Sequence, residues 1–138
     1  MKKTTPYTRD EIVLLVHNFY GQIREHPELG PIFNAHIQNW PLHLNTMVSF
    51  WSSLLLKTAD FSGSPMMKHA ALPNLSAHLF DQWLDLFHTT CNAHPNPQLA
   101  ADAWTFAQRI ARSLWLGYQI QQQPDRHPTE LKDRSSTA

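Results

Sequence analysis

A histidine stands inside the stretch SPMMKHAALPNL, residues 64–75, among methionines, alanines and leucines and four residues before a proline. Imidazole is a common ligand of iron and zinc. The setting of His69 suits that use, because one or two helical turns lie between the polar loop TADFSGS and the stop at Leu72-Pro73. Such a short rigid platform is a costly way to place an ordinary core side chain. Three more groups have types and positions that could serve a small ligand. Tyr20 follows Phe19 on the inward part of a first helix, His43 falls on an apolar stripe of a second, and Trp83 brings an indole N–H. A hydroxyl, imidazole or indole inside a core needs a partner, and a bound ligand can be that partner. Each residue also has a plainer role. His69 could bond to backbone at the core boundary, Tyr20 could reach solvent, and His43 could lie near the exposed start of its helix.

The elements that must position these groups are helical throughout. Thr8 and Glu11 have the spacing of a capping box, and Ile12, Leu15, Val16, Phe19 and Ile23 then recur at helical period, which predicts a helix over 9–25. Pro27, Gly30 and Pro31 predict a tight corner with Ile32 and Phe33 as apolar plugs. A second long helix is expected from near Pro41, capped around Asn39 or Trp40, to about Leu56, with His43, Met47, Phe50 and Leu54 on its inner face. The short turn carrying Lys68 and His69 follows. Ser76 opens a third long helix with the stripe Leu79, Phe80, Trp83, Leu84, Phe87 and Cys91. After HPNP, Asn96 and Pro97 start the longest helix, with Leu99, Ala103, Phe106, Ile110 and Leu114 on one face. The expected fold is therefore all-α in one domain over 1–123, followed by a polar, unpacked tail over 124–138.

Composition narrows the function. A chain of 138 residues can bury roughly 68% of its unfolded surface, so it encloses a real core. Eleven basic residues balance eleven acidic ones, which leaves no long-range field for nucleic acid or an anionic membrane surface. One cysteine cannot form an internal disulfide, and neither a signal-peptide run nor a stretch near the roughly 20 apolar residues of a membrane span is visible, so a cytoplasmic setting is expected. Nine histidines exceed what a core requires. The wall of Phe19, Phe33, Met47, Phe50, Trp51, Trp83 and Phe87 would suit a haem, although plain core packing explains any one of these residues. Two other readings stand beside a haem protein. One is a haem-free helical interaction module; the other is a non-haem metal protein, for which His36, His43 and His69 lack carboxylate or cysteine partners at helical spacing.

Several ungapped motifs, taken in order, carry a resemblance to a known family. They are FY at 19–20, PELGPIF at 27–33, W..H at 40 and 43, FWSSLLL at 50–56, G.P...H.ALP at 63–73, F..WL.LF at 80–87 and RIARSL.LG at 109–117. Across roughly residues 10–118 the chain resembles the group III truncated haemoglobins. That resemblance implies a shortened globin, a two-over-two helical sandwich around haem b. Residue by residue it implies His69 as the proximal iron ligand and Tyr20, His43 and Trp83 as distal groups facing a bound gas. Phe19, Phe33, Met47, Phe50, Trp51 and Phe87 are then expected to wall the porphyrin, with Lys68 near a propionate. The implied ligands are O2, NO and CO. Oxygen or nitric oxide redox chemistry or scavenging is expected rather than bulk transport, with nitric oxide dioxygenase or peroxidase-like activity open, a reductase as a candidate partner and a monomer or weak dimer as the assembly. Trp115 and Tyr118 match nothing assignable.

Overall fold

The computed structural model describes residues 6–58 and 75–131. These form five helices: α1 (Arg9–Glu25), α2 (Leu29–His36), α3 (Trp40–Leu55), α4 (Ala77–Asn92) and α5 (Pro97–Gln122). No strand occurs among the described residues. The turn expected to carry Lys68 and His69 lies outside them.

Four helix starts follow from local hydrogen bonding. The Thr8 hydroxyl accepts the Glu11 N–H at 3.3 Å while the Glu11 carboxylate accepts the Thr8 N–H at 2.9 Å, closing the expected capping box. Asn39 caps α3 by accepting the Leu42 N–H, Ser76 caps α4 by accepting the Leu79 N–H, and Asn96 caps α5 by accepting from Gln98 and Leu99. Pro41 and Pro97 each sit in a first turn, where a missing N–H costs nothing.

The corner expected over PELGPIF is instead the eight-residue helix α2. Pro31 occupies its first turn, so the proline opens the helix rather than breaking it. Glu28 provides no side-chain cap; His26 Nδ1 accepts the N–H groups of both Glu28 and Leu29, each at 3.1 Å. Gly30 is required by packing. A Cβ there would lie 2.7 Å from the Arg24 carbonyl oxygen, so α2 starts pressed against the end of α1.

Helix α1 buries Ile12, Leu15, Val16, Phe19, Tyr20 and Ile23, the expected stripe with Tyr20 added. It packs on α2, α3 and α4, and α4 packs most extensively on α5. The contact face of α5 differs from the expected one. Its buried row is Leu99, Ala103, Ala107, Ala111, Leu114, Trp115 and Tyr118, while Phe106 and Ile110 are half-buried. The row mixes small alanines with larger residues, which a search for large apolar residues does not find. On α3 the fully buried residues are Trp40, Val48, Trp51, Ser52 and Leu55, and His43, Met47, Phe50 and Leu54 are half-buried.

Residues 124–131 return beside α5. Gln119, only 4% exposed, accepts the Thr129 N–H at 2.8 Å and hydroxyl at 3.1 Å and donates to the Thr129 carbonyl at 3.0 Å. Arg112 pairs with Glu130, and Leu131 packs against the core. Among the described residues no helix is long and apolar enough to cross a membrane.

Candidate functional site

Met47 and Phe50, half-buried on α3, border a pocket between the helices. Its lining takes Met47, Phe50 and Trp51 from α3, Leu29, Ile32 and Phe33 from α2 and Tyr20 from α1. Leu79, Phe80 and Trp83 of α4, Ile110, Ala111 and Leu114 of α5, and Leu75 just before α4 complete it. Of the expected site residues, Tyr20, Phe33, Met47, Phe50, Trp51 and Trp83 therefore share one cavity.

Phe19 and Phe87 stand behind that wall rather than in it. The Phe87 ring stacks on Trp51 (5.2 Å, 17°) and on Trp83 (5.5 Å, 10°), and Phe19 meets Trp83, Phe87 and Tyr20 edge-on at 5.2, 4.8 and 5.1 Å. Phe87 is 1% exposed. It fixes the two indoles whose other faces are turned to the cavity, so the wall is a rigid aromatic sheet with few rotamers open to it. His43 also lies outside the lining. It meets Tyr20 edge-on at 5.2 Å and Trp40 edge-on at 5.6 Å, so it reaches the pocket only through the Tyr20 ring that lines it. Lys68 and His69 lie outside the described residues.

Tyr20 brings a hydroxyl to this lining, which also holds the Trp83 indole. Its residue exposure is 6%, and burial alone pushes its phenol well above the usual tyrosine value. The side chain is thus a neutral O–H donor at any physiological pH. No hydrogen bond from another described residue reaches its hydroxyl. An acceptor placed in the pocket could take this O–H, and a hydrogen bond of this kind is worth a net of about 0.5–1.5 kcal/mol.

Sequence reasoning missed the contribution of Ala111 and undervalued Leu79, Phe80, Ile110 and Leu114, which it read as core stripe. Their signal was present as apolar residues on α4 and α5 at helical spacing, but spacing cannot tell a face against a cavity from a face against a helix. Trp115 and Tyr118 now have places. The Trp115 ring stacks on Tyr118 at 5.9 Å and leans on Phe80 at 5.6 Å, and the Tyr118 hydroxyl accepts the Leu75 N–H at 3.0 Å. They support the α4–α5 side of the cavity from beneath.

A pocket walled by apolar and aromatic side chains, with the Tyr20 hydroxyl and the Trp83 indole in its lining, fits an apolar planar cofactor that carries a small polar ligand. No family model matches the chain. The group 3 truncated haemoglobin of Campylobacter jejuni is 34% identical over 107 residues, covering 75% of this chain and 84% of that protein. A crystal structure of a group III truncated haemoglobin from Campylobacter jejuni superposes with a TM-score of 0.77 at 30% identity, covering 92% of this chain and all of that one. With its all-α globin fold and aromatic cavity, this chain belongs to the group 3 truncated haemoglobins, the globin-type haem proteins that its sequence motifs resembled.

Proposed function

We propose that the chain holds haem b in the described cavity through His69 and binds O2, NO and CO, with Tyr20, Trp83 and His43 on the distal side slowing O2 release. The observation that carries this reading is the neutral Tyr20 phenol in the lining of an apolar, aromatic pocket. Haem, when bound, supplies an iron that takes a diatomic ligand and exchanges electrons with it.

The remaining work belongs to this chain's side chains. Met47, Phe50, Trp51 and the Phe87-backed Trp83 exclude water, which strengthens any hydrogen bond made inside. Tyr20 offers an O–H from α1, and the Trp83 indole brings a donor from α4. Phe33, meeting Tyr20 edge-on at 6.2 Å, limits how far the phenol ring can turn. Lys68 is proposed to stand near a propionate.

A hydrogen bond to a partly charged acceptor is worth about 1.5–3 kcal/mol, or roughly 10- to 150-fold in affinity. A ligand held so tightly suits conversion of nitric oxide to nitrate, or scavenging, better than bulk transport. The test is the O2 dissociation rate of the reduced, haem-loaded protein by stopped flow. Tyr20→Phe should raise it at least about tenfold; an unchanged rate would remove Tyr20 from the distal role.

A further inference from the structure

Outside the cavity lining, three helices converge on one buried side chain that the proposed ligand chemistry does not use. Trp40 opens α3 and is 9% exposed. Its indole N–H donates to Asn34 Oδ1 of α2 at 3.1 Å, and the Arg24 guanidinium of α1 lies 4.6 Å over its ring. The Asn34 amide also donates to the Arg24 carbonyl at 3.4 Å, so the two clamping residues are tied to each other. The inner side of the same indole meets His43 edge-on at 5.6 Å and 89°, and Tyr20 at 6.1 Å. His43 in turn meets Tyr20 edge-on at 5.2 Å.

We infer that Trp40 is a positioning residue for the distal side, a plate latched by Asn34 and Arg24 that holds the His43 ring against Tyr20 and thereby limits ligand access to the cavity. The geometry supports this in three ways. The three rings touch pairwise, so His43 cannot turn away from Tyr20 without sliding on Trp40. Trp40 is one turn before His43 on the same helix, which makes the contact short-range and its register fixed. The latch itself is at the surface, since Arg24 and Asn34 are exposed and line a small polar cleft with Gly21 and Glu25. It can therefore loosen without unfolding the core.

The access claim rests on the proposed haem function; the positioning claim does not. A hydrogen bond of net modest strength shifts a local two-state equilibrium about twofold to tenfold. Asn34→Ala, an exposed substitution, removes the acceptor while leaving every apolar contact of Trp40. Two readouts are taken on this variant. The first is the NMR shift of the His43 ring protons in the protein with and without haem, because a ring held edge-on to an indole carries a ring-current shift that a freed ring loses. The second is CO association after flash photolysis of the reduced haem complex, in the wild-type and His43→Ala backgrounds.

The inference expects the His43 ring shift to move toward the value of an unstructured histidine. It also expects association about twofold to tenfold faster in the wild-type background, with no further change once His43 is absent. Trp40→Phe, which keeps a ring but not the N–H, should reproduce both effects and add nothing to Asn34→Ala. An unmoved ring shift, or an equal rate change with and without His43, overturns it. Failure to form any haem complex would sink the proposed function, and the ring shift alone would then decide whether Trp40 positions His43.

Discussion

Replacing Phe87 by alanine removes the side chain on which the cavity wall is built, and its cost follows from its contacts. The ring is 1% exposed and packs on Trp51, Trp83 and Phe19 at centroid distances of 5.2, 5.5 and 4.8 Å. Truncating a buried phenylalanine typically costs about 3–5 kcal/mol, and each well-formed aromatic pair contributes about 0.5–1.5 kcal/mol beyond area burial. Three such pairs place Phe87→Ala at the upper end of that range, about 4–5 kcal/mol. For a domain of this size that is a fall in Tm of roughly 10–20 °C. Urea unfolding at fixed haem saturation is the assay, since bound ligand would otherwise change the apparent stability. Phe87→Leu keeps most of the apolar volume and should lose less than half as much. The variant should also weaken haem retention, because Trp51 and Trp83 lose their common support. A loss under about 1 kcal/mol for Phe87→Ala would refute the account of the wall as a stacked unit, because it would mean that the neighbouring rings close the gap unaided.

Two further outcomes follow from the helix contacts. Gly30→Ala places a methyl group 2.7 Å from the Arg24 carbonyl, a backbone atom that cannot swing aside, so α2 must shift and stability should fall by about 1–3 kcal/mol in urea titrations; an unchanged midpoint would contradict the close approach. Tyr7 donates to Asp102 at 2.9 Å, and burial first, then the hydrogen bond and charge of Asp102, push its phenol up to about 12. A raised value means that the protonated form is favoured by folding, so its contribution is complete below about pH 10 and is lost as pH rises toward about 12. Tyr7→Phe should lower stability by about 1 kcal/mol at neutral pH and flatten the alkaline limb between those values; an unaltered limb would remove Tyr7 as its source.

Much of this architecture was readable from local chemistry. Thr8, Asn39, Ser76 and Asn96 are short polar residues directly before apolar periodic runs, and each caps a helix within a residue of where the sequence placed it. What escaped depended on three-dimensional context. Pro31 reads as a breaker along the chain but is harmless in a first turn, and the cap of α2 comes from His26, a residue type that sequence rules do not count as a cap. The alanine row of α5 carries little hydrophobic signal, although it is fully buried. Within the site, the wall residues Met47, Phe50, Trp51 and Trp83 were legible because helical period groups them. The division between lining and support was not, since Phe19 and Phe87 share the period of their neighbours and differ only in depth. Trp40 was visible as a motif residue, but its role as a meeting point of α1, α2 and α3 required the side chains of Asn34 and Arg24 to be in place.

The central claim is that this chain holds haem through His69, and absorption spectroscopy tests it most directly. The protein as purified and after haem addition should show a Soret band that shifts on reduction and again with CO. In His69→Gly that band should be lost or altered, and added imidazole should restore it by supplying the missing ligand. A wild-type protein that takes up no haem, or a variant whose spectrum matches the wild type in every state, would contradict the account.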